Sequence, residues 1–247
     1  MHFHLPKPLH GWREFAGEVG IIVVGVLIAL GAEQVVENWH WSSQAAEARA
    51  ALRAEIRDDD EPQAYARLAI APCLEAQLKQ LQGALESGMD RSRFSMLANA
   101  YLPPMRTWDD QAWNAVISTG VLSHGGPNDL LQWSLPYRII STLGPRNLAE
   151  REDRVNLQSI SRQPGALTPA ERDRVTVALE HLRSDNRAMI NGSKVLLVAG
   201  DQAGVPLTQA QQRQTDDELR PDWGKCMTRP NWRGVDVWTQ SDRSFRD

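Results

Sequence analysis

Two cysteines in 247 residues, with no Cys-x-x-Cys spacing, leave zinc-ribbon and thioredoxin-like chemistry without their ligands. The six histidines are His2, His4, His10, His40, His124 and His181. No two of them stand four apart with a glutamate between, so the helical transition-metal signature is missing as well. No glycine-rich phosphate loop and no Gly-x-Ser-x-Gly elbow occur, which removes the cheapest support for nucleotide and hydrolase chemistry. Positive charge is not in excess: Lys+Arg 27 against Asp+Glu 31 gives a net charge of -4, and without a global positive field nucleic acid is not an expected partner. No stretch sustains the period-two alternation of a half-buried strand. A hydrophobic fraction of 42% with 23% charged residues is that of a globular protein, not of a disordered or collagen-like chain.

What the sequence does have is one long apolar run. Val19 to Ala32 carries no polar side chain; as a helix it would rise only about 21 Å, short of a hydrocarbon core of about 30 Å. Widened to 15–36 it reaches roughly 33 Å, with Glu18, Glu33 and Gln34 near the two interfaces, where polar side chains can snorkel. Trp12 on one side and Trp39 and Trp41 on the other fit the interfacial belts of a bilayer. A spanning anchor competes with a cleaved signal peptide, for which Ala29-Leu30-Gly31 offers a small-x-small site, and with a buried core helix. Glu14 and Glu18 sit where a signal peptide wants only positive charge. Lys7, Arg13 and the α-amino group precede the span whereas only Arg49 follows it closely, so the N-terminus is expected in the cytoplasm and the rest outside, in the periplasm of a bacterium with two membranes.

The block Glu18-Val-Gly-Ile-Ile-Val-Val-Gly-Val-Leu-Ile-Ala-Leu30, followed by Glu37-Asn38-Trp39, resembles the opening of an uncharacterised family of bacterial single-pass membrane proteins. Thr107-Trp-Asp-Asp-Gln-Ala-Trp113, leading to Ser118-Thr-Gly-Val-Leu122, resembles that family's next recurring element, an aromatic helix ending in a Ser-x-Gly step. The likeness covers roughly residues 10 to 145. It implies a membrane anchor followed by an extracytoplasmic helical domain, and it supplies no catalytic residues.

Beyond the span the pattern predicts an all-α chain. Glu33 to Glu61 has neither proline nor glycine, so the spanning helix should run on until Pro62 ends or kinks it. Trp41, Ala45, Ala48, Leu52 and Ile56 draw one stripe along it. Leu74, Leu78, Leu81 and Leu85 draw another on a following helix expected to pack antiparallel, with Gly88 as its stop. Residues 89–107 read as mixed, Gln111–Thr119 as a short helix stopped by Gly120, and His124–Pro127 as a loop. A helical stretch from Asn128 to about Arg162 should be interrupted at Pro136 and at Gly144-Pro145. Thr168-Pro169-Ala170-Glu171 is a capping box opening a helix to about Val198. The division is a cytoplasmic N-terminus 1–14, a transmembrane helix 15–36, a periplasmic helical domain 37–220 and an irregular Trp-rich tail 221–247.

Few groupings carry chemistry. His2-Phe3-His4 reads as a solvated terminus rather than a metal site, and Asp58-Asp59-Asp60-Glu61 as a solvated face rather than a cation site. Trp108, Asp109, Asp110 and Trp113 make the candidate ligand pocket, an aromatic wall with paired carboxylates for a sugar or cation; against it, Trp113 with Val116 and Ile117 also reads as the inner face of a core helix. Cys73 and Cys226 form a candidate disulfide, the alternative being two buried thiols. A bridge would close a loop of about 150 residues and contribute about 4 to 5 kcal/mol in the chain-entropy model. No metal, cofactor or catalytic residue is expected. The chain reads as a membrane-anchored interaction or scaffold protein, not an enzyme, whose partners are the bilayer and another protein; a ligand-binding or sensor module is the alternative. Ala16 and Gly20, then Gly25 and Ala29, are small-x-x-x-small pairs that permit homodimerisation in lipid. Replacing Gly25 and Ala29 by leucine is expected to weaken self-association in a membrane two-hybrid assay; an unchanged signal would exclude that face.

Overall fold

The computed structural model describes residues 11–88, 90–126, 128–163 and 165–233. Among them every element is helical and no strand occurs. Helix α1, Trp12–Glu55, passes through a π-helical turn at Ile56–Asp60 into α2, Glu61–Glu86. Phe15–Glu86 is thus one helix of 72 residues, about 108 Å long. Its N-terminal part is apolar and long enough to cross a membrane, and none of that apolar window is buried in the protein. A buried core helix is therefore excluded: Ile21, Ile22, Leu27 and Ile28 face outward, as lipid-contacting residues would.

From Trp41 onward the same helix becomes a core element. Ala45, Leu52 and Ile56 are fully buried, on the stripe read from the sequence. Leu74, Leu78 and Leu81 are buried too, but their helix continues the first rather than folding back against it. Pro62 explains the difference. A proline ring in a regular helix meets the carbonyl four residues earlier. Here the Glu61 amide donates to the Ile56 carbonyl, five residues back, and the widened turn makes room for Pro62 in the first turn of α2.

The remaining helices pack around this spine. After α3, Arg91–Ala100, comes an extended segment through Pro103-Pro104 and then α4, Gln111–Thr119, which ends at Gly120 with φ 66°. The left-handed conformation at that position favours glycine. A short 3₁₀ turn, Val121–His124, leads to α5, Asp129–Ser161, which carries Pro136 and Pro145 inside it. The interruptions expected there do not occur. Proline costs a helix interior about 3 kcal/mol, and burial of Trp133, Tyr137, Ile140 and Leu143 against the core offsets it.

Helix α6, Pro169–Gln202, opens with the expected capping box and runs antiparallel to both α5 and α2. Gln132 bonds the Ala203 carbonyl, and Glu61 lies against Gly200. Helix α7, Gln209–Trp223, opens with a second capping box, Thr208 and Gln211, and lies parallel to α2. It crosses the boundary at which an irregular tail was expected. Two elements were thus unforeseen. Helix α3 is started by Asp90, whose carboxylate accepts from Ser92 and Arg93 amides at 3.0 and 3.1 Å, and α7 is too polar to show a stripe.

One polar knot sits in the apolar interior. Arg67 of α2 donates two bonds, 2.8 and 2.7 Å, to the Glu150 carboxylate of α5 and one of 2.9 Å to Asn186 Oδ1 of α6. Tyr101, just past α3, donates to Glu150 at 3.0 Å. All four residues are buried. At the far end, Arg91 joins Glu171 while bonding the Ile160 and Ala166 carbonyls. Hydrogen bonding from Arg91, and then from Thr168, holds the Glu171 carboxyl down at about 2.

Glu150→Ala should lower stability by about 3 to 5 kcal/mol, because it leaves Arg67 charged, buried and unpaired. Replacing Arg67 by methionine and Glu150 by leucine together should cost far less. Urea denaturation of the full chain in detergent micelles would measure both; equal losses would show that the pair itself, rather than the stranded charge, carries the energy.

Candidate functional site

The acidic run proves to be two-sided. Side chains advance about 100° per residue in a regular helix, so four consecutive acids would encircle it. Asp58 and Asp59 do face outward, Asp58 gripped by its neighbour Arg57 at 2.7 and 2.8 Å. Asp60 and Glu61 do not: both are 0% exposed, which corrects the expectation of a solvated face. Asp60 follows Ile56 by four residues and so continues the buried stripe of α1.

Few donors meet these carboxyls. Asp60 Oδ1 accepts the Asp109 amide at 3.3 Å, and its Oδ2 meets no donor among the described residues. Neither oxygen of Glu61 meets one among them either. A Cβ on residue 200 would overlap the Glu61 carboxyl, so glycine at this position is what lets the acid pack against α6. Glu55, one turn before, is spent differently: its Oε2 accepts the Ala112 amide at 2.8 Å and so helps cap α4. Burial pushes the Asp60 carboxyl up to about 8, and the charges of Glu55, Asp59 and Asp109 add to the effect. Burial likewise pushes Glu61 up to about 9; Asp201 and Asp60 add to it and Arg233 opposes it. Two neighbouring acids are therefore held neutral at pH 7.

The chain's C-terminal part covers this region. Cys73 and Cys226 are joined, with Cα atoms 5.3 Å apart. From there residues 227–233 run back along α2 as a strap, with the Thr228 amide on the Ala69 carbonyl at 2.9 Å. Trp232 is buried edge-on to Tyr65, and Arg233 reaches Asp201 at 3.2 Å. Residues 234–247 of the expected tail lie outside the described residues.

The candidate pocket residues are brought near this turn but are engaged in starting and packing α4. Trp113 stacks on Tyr137 with ring centroids 5.1 Å apart and planes 9° from parallel. Asp109 accepts the Gln111 amide at 3.2 Å, and Asp110 accepts from the Asn114 side chain at 3.0 Å. Trp108 is half-buried against the core, its indole N–H without an acceptor among the described residues. A polar cleft of about 340 Å³ opens instead on the outer side of the turn, where Asp58, Asp59, Gln63, Arg106, Gln211 and Thr215 contribute walls.

Of the tryptophans expected at the membrane interfaces, Trp12 and Trp39 project outward. Trp41 turns toward the bundle and stacks on His124, with centroids 3.9 Å apart. Gly25 and Ala29 lie on the outward face of the apolar segment, and nothing packs where a Gly25 side chain would project. Among the described residues, no group of three or more His, Cys, Asp or Glu side chains could hold a metal ion; His2 and His4 lie outside them. Comparison with protein-family models, curated proteins and solved structures finds no match to this chain.

The sequence held one signal for the buried acids, since Asp60 falls on the four-residue step of Leu52 and Ile56. Arg67 likewise interrupts the apolar run Tyr65 to Ile70. The covering strap had none beyond Cys226.

Reducing the disulfide is expected to release the strap. The quenching of tryptophan fluorescence by acrylamide should then increase, and the increase should be smaller in Trp232→Phe. Identical responses of the two proteins would show that the strap stays docked without the bridge.

Proposed function

We propose that this chain is a membrane-anchored scaffold or interaction protein, with its N-terminus in the bacterial cytoplasm and its helical bundle in the periplasm, where it presents a folded surface to another protein. The observation that carries this reading is the unbroken helix from the apolar segment into the bundle core. A Gly/Ser-rich linker would let the bundle wander like a coil, whereas a continuous helix that is also the bundle's spine fixes its height and tilt. The Trp41–His124 stack and the Arg49–Asp129 pair at 2.6 Å brace the membrane-near end of that spine. The resemblance of the anchor block to bacterial single-pass membrane proteins supports the same reading, as does the charge difference across the span. A second reading, a ligand-binding or sensor module, is favoured by the polar cleft beside Arg106 rather than by the tryptophans of α4.

Two measurements test the proposal. Alkaline phosphatase fused after Asp247 should be active in intact cells, and an inactive but well-expressed fusion would overturn the orientation. Eight Gly/Ser residues inserted between Glu37 and Asn38 should leave the bundle folded yet abolish co-purification of partners from gently solubilised membranes; undiminished co-purification would count against a fixed tether.

A further inference from the structure

We infer that the π-helical turn at Ile56–Asp60 is a proton-operated joint in the spine: Asp60 and Glu61 hold the turn closed as neutral carboxylic acids, and loss of their protons loosens it. The inference stands on geometry first. Two consecutive acids are fully buried at the π-helical turn that interrupts the regular hydrogen bonding of the long helix. Irregular turns of this kind inside long helices are frequent at functional sites. A carboxylate needs several donors to be stable out of water; the described residues offer one backbone amide to Asp60 and no donor to Glu61.

The groups facing the pair from each packed element reinforce the neutral form. Toward Asp60 these are Glu55 of α1, Asp59 of the turn and Asp109 of the extended segment, and the Tyr137 hydroxyl of α5 feels the charge of the same cluster. Toward Glu61 they are Asp201 of α6 and Asp60 itself, with Arg233 of the strap opposing them. Arg233 is itself bonded to Asp201, so its charge is shared. The acids' raised proton affinity, to about 8 and about 9, follows from this setting.

The sign follows from linkage. Unfolded or opened, each acid ionises near its ordinary value of about 4; closed, it keeps its proton. The closed turn thus binds more protons than the open one, so closure is strongest below about pH 4 and weakens as pH rises. It weakens by up to tenfold per acid per pH unit until the folded-state values are passed near pH 8 and 9. Ionisation would draw water to the turn, pushing Glu61 off Gly200 and Asp60 off the Asp109 amide. The contacts that join the membrane half of the spine to α6 and to the start of α4 would loosen together. The inference does not depend on which partner the bundle meets.

Hydrogen exchange of the full chain in lipid nanodiscs tests it, each rate being referenced to the intrinsic exchange rate at that pH. Between about pH 6.5 and about pH 9.5 the wild type should lose at least tenfold protection in residues 56–66 while central α5 and α6 keep theirs. The variant carrying Asp60→Asn and Glu61→Gln should show no such pH dependence. Unchanged protection in the wild type, an equal loss throughout the bundle, or the same loss in the variant would overturn the joint. Should the variant fail to fold, infrared difference spectra of the wild type decide. The carbonyl stretch of protonated carboxylic acids should disappear over the same pH interval, and absence of any such titrating band would refute the inference.

Discussion

Arg67 and Glu150 meet where four parts of the chain converge, and the rest of the bundle is arranged around the need to keep that pair whole. A guanidinium and a carboxylate deep in apolar surroundings forfeit their hydration, and hydrogen bonds must make up the loss. Asn186 and Tyr101 add theirs to the two between the pair. Because each contributor comes from a different element, a slide of α2, α5 or α6 by one turn would strand a charge. Apolar side chains such as Leu74 or Leu182 tolerate small slides; the polar knot does not. Its effect is to select one register for the helices more than to add net stability, since an apolar set of the same shape would pack as well or better.

The same economy governs the backbone irregularities. Pro62 is accommodated by a widened turn, and Pro136 and Pro145 by burial of the residues around them. The widened turn brings a second consequence, because it coincides with acids that the helix turns inward. Asp60 and Glu61 contrast with Glu150: all three are fully buried carboxyl groups, yet Glu150 accepts from a guanidinium and a phenol while the other two meet a single amide among the described residues. The strap fastened by Cys73–Cys226 lies on the Glu61 side, so the chain's last described residues complete the surroundings of an acid met far earlier in the sequence.

Much of the fold was legible in residue order alone because helices are local objects. The apolar run 15–36, the stripes through Leu52 and Ile56 and through Leu74 to Leu85, the Gly120 stop and the Thr168–Glu171 box are each set by spacing within a few turns, and each stands where the pattern put it. The all-α class followed from the absence of period-two alternation. The two cysteines made a candidate pair, with two buried thiols as the alternative, and the structure joins them.

What spacing could not decide was how one element changes the meaning of another. Proline reads as a break until neighbouring helices are present to offset its cost, so Pro62 reads as an end or a kink and Pro136 and Pro145 as interruptions. A run of acids reads as solvated until a π-helical turn and Gly200 bring two of them inside. Trp113 and Asp109 read either as a pocket or as the start of a core-facing helix, and their contacts are with Tyr137 and the first turn of α4. The sequence by itself determined the apolar, span-length segment, the helical class and the inner faces, because these depend on a side chain's position along its own helix. Only the tertiary structure decided which buried charges are paired, which acids stay neutral and where the strap lies, because those depend on donors and acceptors supplied from segments as distant in sequence as Glu61, Asp201 and Arg233.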